Sequence, residues 1–162
     1  MILVSNTTPL IGLAIIERFN LLEQLFGEIY IPQAVYNEVV VAGKEIGGAK
    51  REVASTSWIK KVPVKNRTAV EDLLIELDLG EAETIILAQE INADLVLMDE
   101  KKGRQKLSEQ RRKKIGTVGI LLKAKQEGIL PAIRDDMMKL REMGFSISQP
   151  VIDGILEEVG EK

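Results

Sequence analysis

Five short strand-like segments punctuate the chain at Ile2–Ser5, Glu28–Ile31, Trp58–Val64, Ala93–Met98 and Ile115–Val118, and helix-like patterns lie between them. Runs such as Ile2-Leu3-Val4, apolar without alternation and rich in branched side chains, suit strands buried on both faces. Parallel strands need long crossovers, which the intervening helical stretches supply. The pattern predicts an α/β fold of βαβ units on a central parallel sheet. At 162 residues the chain suits one domain and is short for two. We expect a single domain over residues 1–162, with a helical C-terminal extension from about residue 131.

The helical patterns run from Pro32 to about Val41, Lys44 to Ala54 with a soft Gly47-Gly48 centre, and Asp78 to Ile91. Three more cover Gly119–Gln126, Pro131–Met143 and Gln149–Val159. The last ten residues, with Asp153, Glu157, Glu158 and Glu161, are expected to fray.

The stretch Val4-Ser5-Asn6-Thr7-Thr8-Pro9 stops the first strand at an amide, two hydroxyls and a proline. Thr8 before Pro9 reads as a helix start, because threonine caps orphan amides and proline at the first helical position sacrifices no hydrogen bond. Asn6 is then held between a strand's carboxyl end and a helix's amino end, where open α/β sheets bind ligands. Asp99 holds the equivalent place after the segment Ala93–Met98.

Composition limits the chemistry available there. The chain has no cysteine and no histidine, which excludes thiolate nucleophiles, imidazole bases and zinc sites of the usual kind. Carboxylates, amides, hydroxyls, lysines and arginines remain, and an oxygen-only donor set favours a hard cation such as magnesium or manganese. No apolar run approaches a membrane span, and the first residues lack signal-peptide features, so a cytoplasmic protein is expected.

Each candidate acid has two readings. Asp99 serves equally well as a helix cap or a site residue. Glu81 shares a helix face with Ile85 and Ala88, yet Asp78-Leu79-Gly80-Glu81 also fits a capping box, which is the simpler reading. Glu38 interrupts an apolar stripe of Ala34, Val35 and Val41, where a boundary charge is the commoner explanation. Brought together at one sheet edge, such acids would repel one another unless a cation stood between them.

From Lys101 to Lys114 the chain carries Lys101, Lys102, Arg104, Lys106, Arg111, Arg112, Lys113 and Lys114 against Glu109 alone. A solvated basic helix and loop accounts for this, but its start beside Asp99 favours phosphate contact. The net charge of −3 argues against indiscriminate nucleic-acid binding. Few aromatics are available for base stacking.

The motifs V-S-N-T-T-P-L-I, I-P-x-x-V-x-x-E ending at Glu38, L-D-x-G-E-A-E around Glu81, A-D-L-V-L-M-D-E-x-x-G-R from Ala93 to Arg104 and G-T-V-G-x-L from Gly116 follow one another in order. Together they resemble PIN-domain proteins, most of all a prokaryotic branch of VapC-toxin-like members. The resemblance implies a three-layer α/β/α sandwich with a central parallel sheet, and a ribonuclease that holds magnesium or manganese with Glu38, Glu81 and Asp99. It also implies Asn6 at a position where the family usually has aspartate. Thr7 and Thr117 match pocket hydroxyls, Glu100 lies beside Asp99, and Lys101 stands where the toxins often carry another acid. Proton transfer would fall to metal-bound water or to Glu38 or Glu81. RNA would lie along Lys101, Lys102, Arg104, Lys106, Arg111 and Arg112, with a homodimer and an antitoxin as expected partners. Two other readings stay open. One is a weakened PIN fold that binds nucleic acid or protein without cutting. The other is a flavodoxin-like or receiver-like protein, against which the spacings Gly43-Lys44 and Gly116-x-x-Gly119 match no phosphate loop.

Overall fold

The computed structural model describes residues 1–43 and 48–161. These form two compact units, Met1–Gly116 and Thr117–Lys162.

The first unit is built on five parallel strands: β1 (Leu3–Ser5), β2 (Ile29–Pro32), β3 (Ile59–Val62), β4 (Leu95–Leu97) and β5 (Lys114–Ile115). Their order is β3-β2-β1-β4-β5. Leu3 pairs with Ile29 on one side and Leu95 on the other, so residues of equal parity share a face. Even-numbered Val4, Val96 and Met98 form one core cluster with Val70, Ala82, Ile85, Ile86 and Leu107. Those partners come from helices α5 (Arg67–Leu73), α6 (Leu79–Glu90) and α7 (Lys101–Glu109). Odd-numbered Leu3, Ile29, Ile31 and Leu97 are buried on the other face. Helices α1 (Thr7–Ile15), α2 (Leu21–Phe26) and α4 (Ala49–Ser55) belong to that side.

The handedness rule gives the reason. The steps β1 to β2 to β3 run one way along the sheet and β4 to β5 runs the other, so right-handed crossovers deposit their helices on opposite faces. The result is the expected three-layer α/β/α arrangement. The order reverses between β1 and β4, which opens a crevice at the carboxyl ends of those two strands. Asn6 follows one and Asp99 the other.

Several local expectations change. The first helix begins at Thr7 with Asn6 at its cap position, so Pro9 is its third residue rather than its first. Proline is tolerated there because the first-turn amides lack helical partners in any case. The segment after Pro32 is a short helix, α3 (Gln33–Tyr36), that widens into a π-helical turn over Asn37–Val41. A π turn holds more residues than an α turn and shifts the phase of the stripe. Val39 is therefore buried while Val41 is 68% exposed, and Glu38 does not share a buried face with Val41. The expected helix from Lys44 is described only as α4; residues 44–47 lie outside the described residues. The fifth strand ends at Ile115, because Thr117 already opens helix α8 (Thr117–Gln126).

The second unit contains α8, α9 (Arg134–Glu142) and α10 (Gln149–Glu158). Ser148 caps α10 by accepting the Val151 amide, and proline sits in that first turn. Rather than fraying, Glu161 accepts the Ile133 amide at 3.0 Å and pairs with Lys125. No helix among the described residues is long and apolar enough to cross a membrane.

Candidate functional site

The site forms because β1 and β4 end side by side. The Asn6 amide hydrogen-bonds the Leu97 carbonyl at 3.0 Å, extending the ladder one residue past β1 and fixing the Asn6 side chain, which is buried. Its Nδ2 donates to Glu100 Oε2 at 3.0 Å and lies 3.5 Å from Met98 Sδ. The Thr8 hydroxyl donates to the other Glu100 oxygen. Two donors from one strand-to-helix turn thus hold a carboxylate from the other.

Glu38 enters from the π-helical turn. Thr7 Oγ1 donates to its Oε2 at 2.8 Å, and the Gly80 backbone amide donates to the carboxylate as well. A Cβ at residue 80 would stand 2.2 Å from Glu38 Oε1, so glycine is what lets the carboxylate reach the amino end of α6. Sequence reasoning missed this role. The available signal was a glycine in the first turn of an otherwise strong helix former. The entry to α3 is fixed separately: buried Glu83 on α6 accepts the Ala34 amide at 2.9 Å and pairs with Arg67 at 2.7 Å.

Glu81 takes part in the capping box. Asp78 accepts the Glu81 amide at 2.8 Å, while Glu81 Oε1 accepts the Asp78 amide at 3.1 Å. Asp78→Ala removes the side-chain acceptor of the Glu81 amide, while the backbone amide of residue 78 stays available to Glu81, and should cost about 1 kcal/mol, read as a lower Tm. Its melting curve checks the box independently of any activity.

Burial pushes the Glu38 carboxyl above its ordinary value of 4.5; the Thr7 hydroxyl opposes this, and the charges of Asp78 and Glu100 add to it. Glu81 is raised too, first by burial, and the charges of Asp78, Glu100 and Glu38 reinforce the shift. Four carboxylates therefore feel one another across the crevice, Asp78 among them as a member that sequence reasoning took only for a cap. A local excess of like charge is what a divalent cation relieves. The donors are all oxygen, which fits a hard ion in kind. Among the described residues, however, no three acids converge on one ligating point. The physical reason is visible in the bonding: protein donors engage Glu38, Glu81 and Glu100.

Asp99 is turned toward β5. A Cβ at Gly116 would stand 2.8 Å from Asp99 Oδ1 and 3.4 Å from Arg104 Nη1, so both side chains close over that glycine. Arg104 also donates to the Met98 carbonyl at 2.8 Å, capping the end of β4. Gly103 permits this approach of α7, since a Cβ there would meet Met98 Sδ at 2.7 Å. Thr117 is fully buried at the start of α8 in the second unit.

The basic run is divided by α7 itself. Lys101 and Lys102 open that helix beside Asp99 and are exposed. Lys106 is engaged by Glu76 at 2.7 Å and Glu109 at 3.6 Å. Arg111, Arg112 and Lys113 follow the helix and precede β5, which puts them at the amino edge of the sheet. Nine helical residues rise about 13 Å, enough to separate the two groups.

No curated protein matches the chain. A family model described as DUF3368: PIN domain matches residues 2–161 and runs through both units.

Proposed function

The chain belongs to the PIN-domain family, and from that premise we propose that it is a metal-dependent endoribonuclease, cytoplasmic and of toxin-like type. Residues 1–162 are read as a single domain, with the helices from about residue 131 as its C-terminal extension. The observation that carries the reading is the electrostatic coupling of Glu38 and Glu81 to Asp78 and Glu100, across the crevice where β1 and β4 end. PIN domains generally use divalent metals. Here Glu38, Glu81, Asp99 and the Asn6 amide oxygen would hold magnesium or manganese, with Glu100 supplying charge beside Asn6. When bound, such an ion polarises the phosphodiester and lowers the pKa of the attacking water.

The remaining steps belong to the chain. Glu38, its carboxyl raised by burial, is a stronger proton acceptor than a solvent-exposed carboxylate, and Thr7 Oγ1 orients it. Thr117 is the second hydroxyl assigned to the pocket. Lys101 and Lys102 steer the RNA backbone at the crevice; Arg104 fixes the end of β4 there. Lys106, held by Glu76 and Glu109, and Arg111 and Arg112, carried by α7 to the far edge of the sheet, stand outside this crevice path, and binding at Lys101 and Lys102 is salt-dependent. A homodimer and an antitoxin complete the toxin-like reading.

The test is cleavage of mixed-sequence single-stranded RNA in manganese by the native chain and Asp99→Asn. The native protein should cut, and the variant should be silent. Equal silence with retained RNA binding would leave the second reading, a groove that kept its fold and lost its chemistry. Asn6 favours that reading, because its NH2 rather than a carboxylate faces Glu100.

A further inference from the structure

At the opposite end of the sheet from the candidate active site, a cavity of about 480 Å³ opens where β1, β4 and β5 begin. It is lined by Met1, Asn92, Ala93, Asp94, Gln110, Arg111, Arg112 and Lys113. Among these, Arg111, Arg112 and Lys113 face a single carboxylate, Asp94, which accepts the Ile2 amide at 2.6 Å. Arg112 is tied to the Ala93 carbonyl at 3.2 Å, whereas no ion pair engages Arg111 or Lys113 among the described residues. The volume lies within the range of small-molecule sites.

Two further observations fall on the same wall. Gln110 Oε1 is buried and has no hydrogen-bond partner, the one such side-chain atom among the described residues. The atom is covered by protein, so a donor in the cavity engages it only on rotation of the Gln110 side chain, a rotation that the cost of an unmade buried acceptor favours. Arg111 sits in the left-handed region, φ 59°, directly after α7. Its amide bonds the Ser108 carbonyl and the Arg112 amide bonds Leu107, a helix ending in which glycine is the usual residue at this position. Asn92, φ 51°, ends α6 in the same way on the same cavity. An arginine held where glycine is easier spends backbone stability to keep its guanidinium there.

We propose that this cavity binds a nucleoside monophosphate. Arg111 and Lys113 take the phosphate, while Asp94 and, once its side chain turns into the cavity, Gln110 accept hydroxyl or amino donors from the nucleoside. Asp94 disfavours a bare anion, so the ligand must carry donors beside its charge. The site is separate from the acid crevice and does not rest on the nuclease reading.

The experiment is calorimetric titration in EDTA with adenosine 5′-monophosphate, adenosine and inorganic phosphate, using the native chain, Arg111→Gly and Lys113→Ala. The monophosphate should bind better than either fragment, and each substitution should weaken it about tenfold or more. Arg111→Gly should also raise the ligand-free Tm by about 2–4 °C, the sign opposite to simple damage. Competition by a 5′-phosphorylated trinucleotide would assign the site to an RNA terminus; its failure would assign it to the free nucleotide. Unchanged affinity in Arg111→Gly, or monophosphate binding no better than adenosine, overturns the proposal.

Discussion

Asn6→Asp should bind Mn²⁺ about tenfold or more tightly than the native chain, and melt lower when metal is withheld. Both effects follow from the 3.0 Å bond between Asn6 Nδ2 and Glu100 Oε2. The substitution replaces a donor with a second acceptor. Two unit charges about 3 Å apart, at an effective dielectric near 20, repel by roughly 5–6 kcal/mol before relaxation reduces it. The pair would share a proton when no cation is present. The same charge adds gross attraction of roughly 8 kcal/mol to a divalent ion at about 4 Å, and a surviving 1.4 kcal/mol is already tenfold. Melting curves with and without Mn²⁺ check both signs. The metal-induced rise in Tm should be larger in the variant, and RNA cleavage should increase with it.

Glu38→Gln should lower cleavage by about 100-fold or more, at least the upper end of what loss of an outer-shell partner costs a metal site. Glutamine keeps the size, and its oxygen still accepts from Thr7 or Gly80, so the fold should persist. What it removes is the charge and the proton acceptor. Stability gives an independent check with a definite sign. A carboxyl whose folded pKa is raised binds more protons folded than unfolded, so its ionisation subtracts stability as pH rises through the window above 4.5. The native, metal-free chain should lose stability through that window. Glu38→Gln should lose less, and Glu81 accounts for part of the remainder. A pH series of melting temperatures, native against variant, measures the difference.

The fold was legible because period and composition agree. Ile2-Leu3-Val4 is uniformly apolar because the strand is buried on both faces, with Leu3 on one core and Val4 on the other. The Asp78 to Glu81 box was legible for the same reason, since its partners lie three residues apart. Boundaries set by longer-range contacts were not. Thr8-Pro9 looks like a helix start locally, yet the Asn6 amide bonding Leu97 puts the start two residues earlier. The π turn at Asn37–Val41 has no local signature, and it moves Glu38 off the stripe and toward Gly80. The even spread of positive charge from Lys101 to Lys114 hid a spatial division, because a helix that spans the sheet carries its two ends to opposite edges. Glu100 was named only as a neighbour of Asp99; its bonds to Asn6 and Thr8 join residues more than ninety positions apart.

If the acids around the β1 and β4 ends form one cation site, as proposed, Mn²⁺ titrated calorimetrically into the native chain and into Glu38→Gln reveals it. Saturable binding by the native protein is expected, weakened about tenfold or more in the variant at unchanged fold. No binding by the native chain, or equal binding by both, would contradict it.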